Sequence, residues 1–137
     1  MKKLILILIL ISSPVMIIYS QPLEEHLWKN RILVTFSPSK KNSERSYILN
    51  SISKNLCKFL SRNMIHIDLI FNEKNQEIEK FKSSFENLSL YPSEFRLILI
   101  GKDGGIKFNS RKTSLEEIFF LIDNMPMRQE EMLNDKC

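Results

Sequence analysis

The spacing of apolar positions along the chain switches between unbroken runs, strict alternation and a helical period, and each switch marks an element. Met1, Lys2 and Lys3 precede an aliphatic run from Leu4 to Ile11; Ser12, Ser13 and Pro14 interrupt it before a second apolar stretch to Tyr19. A charged start followed by a short apolar run is the pattern of a secretory signal peptide, and Ile18, Tyr19 and Ser20 before Gln21 suit cleavage after Ser20. A membrane span needs about 20 apolar residues, so the alternative, an uncleaved anchor, fits the interrupted run less well. No cysteine lies near the cut, which argues against a bacterial lipoprotein anchor. Residues 1–20 are therefore read as a leader and 21–137 as a single domain, a length that suits one hydrophobic core.

In the mature part, Arg31 to Phe36 is aliphatic and β-branched and stops at Ser37 and Pro38, as a central strand does. From Glu44 to Arg62, Ile48, Ile52, Leu56, Phe59 and Leu60 recur at helical spacing and predict one amphipathic helix. Met64 to Phe71 alternates, with Ile65, Ile67, Leu69 and Phe71 on one face and His66 and Asp68 on the other, the pattern of an edge strand. Ile78, Phe81, Phe85 and Leu88 give a second helix over Glu73 to Leu88, before Pro92. Phe95 to Ile100 is the strongest strand, and Gly101, Lys102, Asp103, Gly104 and Gly105 turn it into Ile106 to Asn109, a hairpin. A last helix starts at Thr113 or Ser114, where Thr113 to Glu116 fits a capping box, and Pro126 breaks or restarts it. Right-handed crossover makes the first two strands parallel and the hairpin adds an antiparallel edge. The predicted class is α/β: a thioredoxin-like three-layer sandwich, with a four-stranded mixed sheet of order 2-1-3-4 and helices on both faces. The first and last helices fall on the same face.

Charge and chemistry-bearing residues narrow the function more by exclusion than by assignment. The chain has a pI near 9.1, but the mature part carries 18 basic against 16 acidic residues, with both signs in every segment. Nucleic-acid binders concentrate cations on one face; even the cluster Lys40, Lys41 and Arg45 lacks an aromatic platform. No nucleic-acid partner is expected, and no membrane span once the leader is cut. Two cysteines, Cys57 and Cys137, and two histidines, His26 and His66, form no zinc pattern, and no metal or cofactor is expected. In thioredoxin-like enzymes a cysteine sits where the first strand meets the first helix, because the helix N-terminus lowers its pKa. Here that loop, Ser37 to Ser43, contains none. Cys57 falls in the second half of the expected helix, where a cysteine is ordinarily a small packing residue. Pro92 is not immediately before the third strand, where such enzymes place a substrate-receiving cis proline. The glycines of the turn lead into a strand, not into the helix a phosphate loop requires. His66 and Asp68, about 7 Å apart along one strand face, read as a surface pair. Asn87-Leu88-Ser89 is a glycosylation sequon, meaningful in a eukaryotic host.

Three segments carry a family resemblance: Trp28-Lys-Asn-Arg-Ile-Leu-Val-Thr-Phe-Ser-Pro38, Leu99-Ile-Gly-Lys-Asp-Gly-Gly-Ile-Lys107, and Ser114-Leu-Glu-Glu-Ile-Phe119 with Ile122-Asp-Asn-Met-Pro-Met-Arg-Gln-Glu-Glu-Met132. The chain resembles the exported domain-of-unknown-function family of DUF4174 type, found alone in bacterial secreted proteins and repeated in animal sushi-repeat and coiled-coil-domain extracellular matrix proteins. The resemblance implies a thioredoxin- or peroxiredoxin-like fold without the usual redox cysteines and assigns no catalytic residue. The expected function is a secreted or periplasmic non-catalytic module that binds an extracytoplasmic partner. The alternative is an atypical thiol oxidoreductase or peroxidase using Cys57 and Cys137. In an oxidising compartment those two can form an intramolecular disulfide if their Cα atoms approach within about 7 Å; two free thiols or an intermolecular link are the other outcomes. Two methionines flanking a proline are poor solvent-facing choices, so Met125 to Arg128 is expected to dock on the domain.

Overall fold

The computed structural model describes residues 23–71, 79, 93–112 and 114–137. The segment read as a leader, the helix read over Glu73 to Leu88 apart from Glu79, the Asn87 sequon, Pro92 and Thr113 lie outside them. The described elements are strands β1 (Arg31–Ser37), β2 (Met64–Ile70), β3 (Arg96–Ile100) and β4 (Ile106–Ser110) and helices α1 (Ser43–Lys54), α2 (Leu56–Ser61), α3 (Leu115–Asp123) and α4 (Pro126–Glu131), with short 3₁₀ turns at Glu24–His26 and Met132–Asn134. The sheet runs β2-β1-β3-β4. β1 lies parallel to β2, with Arg31 opposite Met64 and Ser37 opposite Ile70. β3 is antiparallel to both β1 and β4. The mixed order expected from the sequence is the order observed.

β1 is buried along its whole length, because a central strand feeds two cores with alternate residues. Leu33 joins Leu97, Leu99, Ile48, Phe59, Leu115, Ile118 and Ile122 on one face, where α1, α2 and α3 pack. Ile32, Val34 and Phe36 join Leu69, Ile98 and Ile100 on the other. Each such side chain contributes about 1.5–3 kcal/mol on burial, so these clusters supply most of the stability.

Strand ends shift by one residue from the reading of the sequence, and two helix boundaries differ for identifiable reasons. The single helix expected over Glu44 to Arg62 is two. Asn55, with φ −120° and ψ 30°, leaves the helical region, and its side-chain amide donates to the Ser51 carbonyl at 3.0 Å, the local competition that makes Asn a poor helix-interior residue. Beyond Asn55, Phe59 stays buried, while Leu56 and Leu60, expected on the apolar face, are 52% and 57% exposed. α3 is capped by Ser114, whose hydroxyl accepts from the Glu117 N–H at 3.2 Å. The cap therefore lies one residue beyond the box read at Thr113 to Glu116.

Met125 to Arg128 docks as expected, but not through both methionines. Met125 packs on the first core cluster, Met127 is 45% exposed, and the buried anchor is Arg128. Among the described residues, no helix is long and apolar enough to cross a membrane.

Candidate functional site

The C-terminal end of β1 leads into the loop where thioredoxin-like enzymes hold their chemistry. Asn42 caps α1 there by accepting the Arg45 N–H at 3.0 Å. Arg45 turns inward instead of joining Lys40 and Lys41 in a basic patch. Its guanidinium holds both Asp68 carboxylate oxygens, at 2.5 to 3.1 Å, and also donates to the Lys40 carbonyl at 3.0 Å. Thr35, fully buried on β1, donates its hydroxyl to Asp68 at 2.7 Å and lies 3.0 Å from His66 Nε2. His66 and Asp68 are thus bridged through Thr35 beneath α1, not left as a surface pair. The parallel register that sets Thr35 opposite Asp68 creates the bridge. Burial lowers the pKa of His66 and Arg45 adds to that, with Asp68 opposing. Burial raises Asp68, but hydrogen bonds from Arg45 and Thr35 outweigh it and keep the carboxylate below its usual range. The set is closed on itself: it ties α1 to the sheet, and its hydroxyl has no access to solvent.

At the opposite end of β1, about 20 Å away at the strand rise, a buried ionic cluster gathers residues far apart in sequence. Arg31, 1% exposed, donates to Glu131 at 2.9 and 3.3 Å and to the Arg62 carbonyl at 2.8 Å. Lys102 reaches the same carboxylate at 2.6 Å. Arg128, also 1% exposed, pairs with Asp123 at 3.2 Å and with Asp135, and donates to the Ser61 carbonyl at 2.8 Å. Arg62 completes the set, holding Asp123 at 2.6 Å with its guanidinium 4.3 Å above the Phe119 ring. Burial raises the Glu131 pKa, but Arg31 and Lys102 outweigh it and hold the carboxylate low.

The hairpin turn presents Lys102 to this cluster. Gly104 adopts φ +79°, the left-handed geometry glycine enters without strain. Gly101 N–H donates to the Gly105 carbonyl at 2.8 Å, and Asp103 accepts from Gly105 N–H at 3.1 Å. Gly101, Lys102, Asp103, Gly104 and Gly105 form a turn between β3 and β4. Trp28, at φ 62°, donates its N–H to the Lys102 carbonyl at 2.6 Å, which holds a bulky residue in a region it rarely adopts.

The sequence marks Lys102 only as part of the turn and Arg128 only as part of the docking segment, and it does not set Arg31 or Glu131 apart as site residues. Their signal was nonetheless in view, because each lies inside one of the three segments that carry the family resemblance. Those segments converge on one cluster, and its groups are partnered with one another.

The cysteines lie at this same end. Cys57, now in the first turn of α2, is disulfide-bonded to Cys137 with Cα atoms 6.0 Å apart. Both residues are exposed. A cavity of about 470 Å³ beside them is lined by residues that include Leu60, Asn63, Glu131 and Lys136. Among the described residues, no group of three or more His, Cys, Asp or Glu could hold a metal ion.

A family model described as "Domain of unknown function (DUF4174)" matches residues 22–131. Among solved structures, the chain is similar to reduced 2-Cys peroxiredoxin of Plasmodium vivax, with a TM-score of 0.61 and 17% identity over 78% of this chain and 71% of that one. It is also similar to Plasmodium yoelii thioredoxin peroxidase I, with a TM-score of 0.56 and 18% identity over 83% and 82%. Plasmodium yoelii Prx1a, modified at its N-terminus and forming an artifactual octamer, matches with a TM-score of 0.56 and 19% identity over 84% and 83%. At these identities the likeness establishes the thioredoxin-like fold.

Proposed function

The chain belongs to the DUF4174 family, and from that premise we propose that it is an exported, non-catalytic thioredoxin-like module that binds an extracytoplasmic partner. The observation that carries this reading is the position of the sulfurs. The loop before α1, where the fold would activate a nucleophile, has no cysteine. The chain's two cysteines are bonded to each other, beside the ionic cluster at the far end of β1. The charged start and interrupted apolar run of residues 1–20 support export. Leu27 and Trp28, 40% and 63% exposed, offer apolar surface of the kind a protein partner covers.

Purified protein supplied with a thiol reductant should neither reduce insulin disulfides nor consume peroxide faster than its Cys57→Ser variant. Turnover above that control would overturn the reading. It would favour instead the thiol oxidoreductase, for which the bridged, exposed cysteines are the supporting observation. After reduction, alkylation of Cys57 at the rate of an ordinary thiol of pKa about 8.5 removes that rival.

A further inference from the structure

We propose that the Cys57–Cys137 disulfide is an attachment point, open in the folded protein to exchange with the cysteine thiolate of a partner polypeptide. The inference rests on the binding-module reading and specifies the partner's chemistry.

Exchange requires access to a sulfur and a native state that survives the opened bond. Two observations at this site support these conditions. The two cysteines are exposed, and the cavity beside them leaves room for an incoming side chain. Lys136 lines that cavity, a cation where an attacking thiolate must approach.

The tail does not depend on the bridge for its seat. Glu131 is held by Arg31 and Lys102, and Arg128 by Asp123, Asp135 and the Ser61 carbonyl of α2. Opening the bond widens the unfolded ensemble by releasing an 80-residue closure, yet it removes none of these native contacts. Cys57 sits in a helical turn of α2, whereas Cys137 follows the last 3₁₀ turn on irregular backbone. Cys137 therefore has the greater freedom to swing outward and carry an adduct.

In the exchange, the partner's thiolate sulfur forms a bond to Cys137 Sγ. The Cys57–Cys137 bond breaks, and its electron pair leaves on Cys57 Sγ as a thiolate, which takes up the proton the partner's thiol gave up. One disulfide is consumed and one is formed, with no outside oxidant or reductant.

Reduced glutathione serves as the probe thiol. The oxidised protein is incubated with it without denaturant, quenched by alkylation, and read by intact mass and peptide mapping, with near-UV circular dichroism reporting the fold. The expected result is glutathione on Cys137 and the alkyl group on Cys57, an unchanged near-UV spectrum, and an exchange rate within about tenfold of that in concentrated urea. Exchange that proceeds only with global unfolding, or glutathione carried by Cys57, would overturn the proposal. Catalytic turnover of insulin or peroxide would instead overturn the non-catalytic reading and leave the exchange result standing.

Discussion

A buried hydroxyl must find both a donor and an acceptor, and Thr35 finds them in His66 and Asp68. Because Asp68 is held as a carboxylate by Arg45, Thr35 donates to it and accepts from His66; this assigns the neutral imidazole's proton to Nε2. The consequence is a stability that depends on pH. Unfolding releases His66 to its ordinary value near 6.5, above its lowered value in the fold. The unfolded chain then binds more protons, so the contribution of neutral His66 is present above about pH 6.5 and is lost as pH falls below it. The urea midpoint should drop between about pH 7 and 5, and His66→Gln should flatten that drop. An equal drop in the variant would contradict the assignment. Asp68 and Glu131 act in a separate window. Their folded values are depressed, so what they contribute is lost only below the ordinary carboxylate range.

At the scale of elements, strands were more legible than helix boundaries. Alternation along 64–71 and the unbroken run at 31–36 report burial directly, and they placed β2 at an edge and β1 in the centre. Asn55 and Ser114 show why boundaries are harder. Asn55 fits a helical period by spacing alone, yet its amide competes for the Ser51 carbonyl. Thr113 and Ser114 are adjacent hydroxyl residues, each followed three positions later by a glutamate, so two capping boxes overlap. The structure selects Ser114, and Ser114→Ala should destabilise the protein by about 1 kcal/mol in urea unfolding. A change of less than about 0.3 kcal/mol would show that the cap is not holding the helix.

At the scale of the whole molecule, the pairs that close the fold join residues far apart in sequence: Arg31 meets Glu131 across 100 positions and Arg128 meets Ser61 across 67. Periodicity carries no information about such pairs. For the same reason the sequence leaves the disulfide open, because the pairing of Cys57 with Cys137 depends on the path of the tail. In the Met-Pro-Met-Arg segment the methionines are the apolar signal visible in the sequence, while the buried group is the arginine. Arg31 on the sheet, Lys102 in the hairpin turn and the Ser61 carbonyl of α2 hold the tail through Glu131 and Arg128, so the segments carrying the family resemblance lock the tail in place. Buried ion pairs add little net stability but are costly to break singly, so the most direct test replaces Arg128 by methionine, which keeps the bulk and removes the charge. In urea denaturation Arg128→Met should lose about 3 kcal/mol, the lower end for removing one partner of a buried pair because its carboxylates remain partly exposed. A midpoint and slope indistinguishable from those of the parent protein would contradict the account.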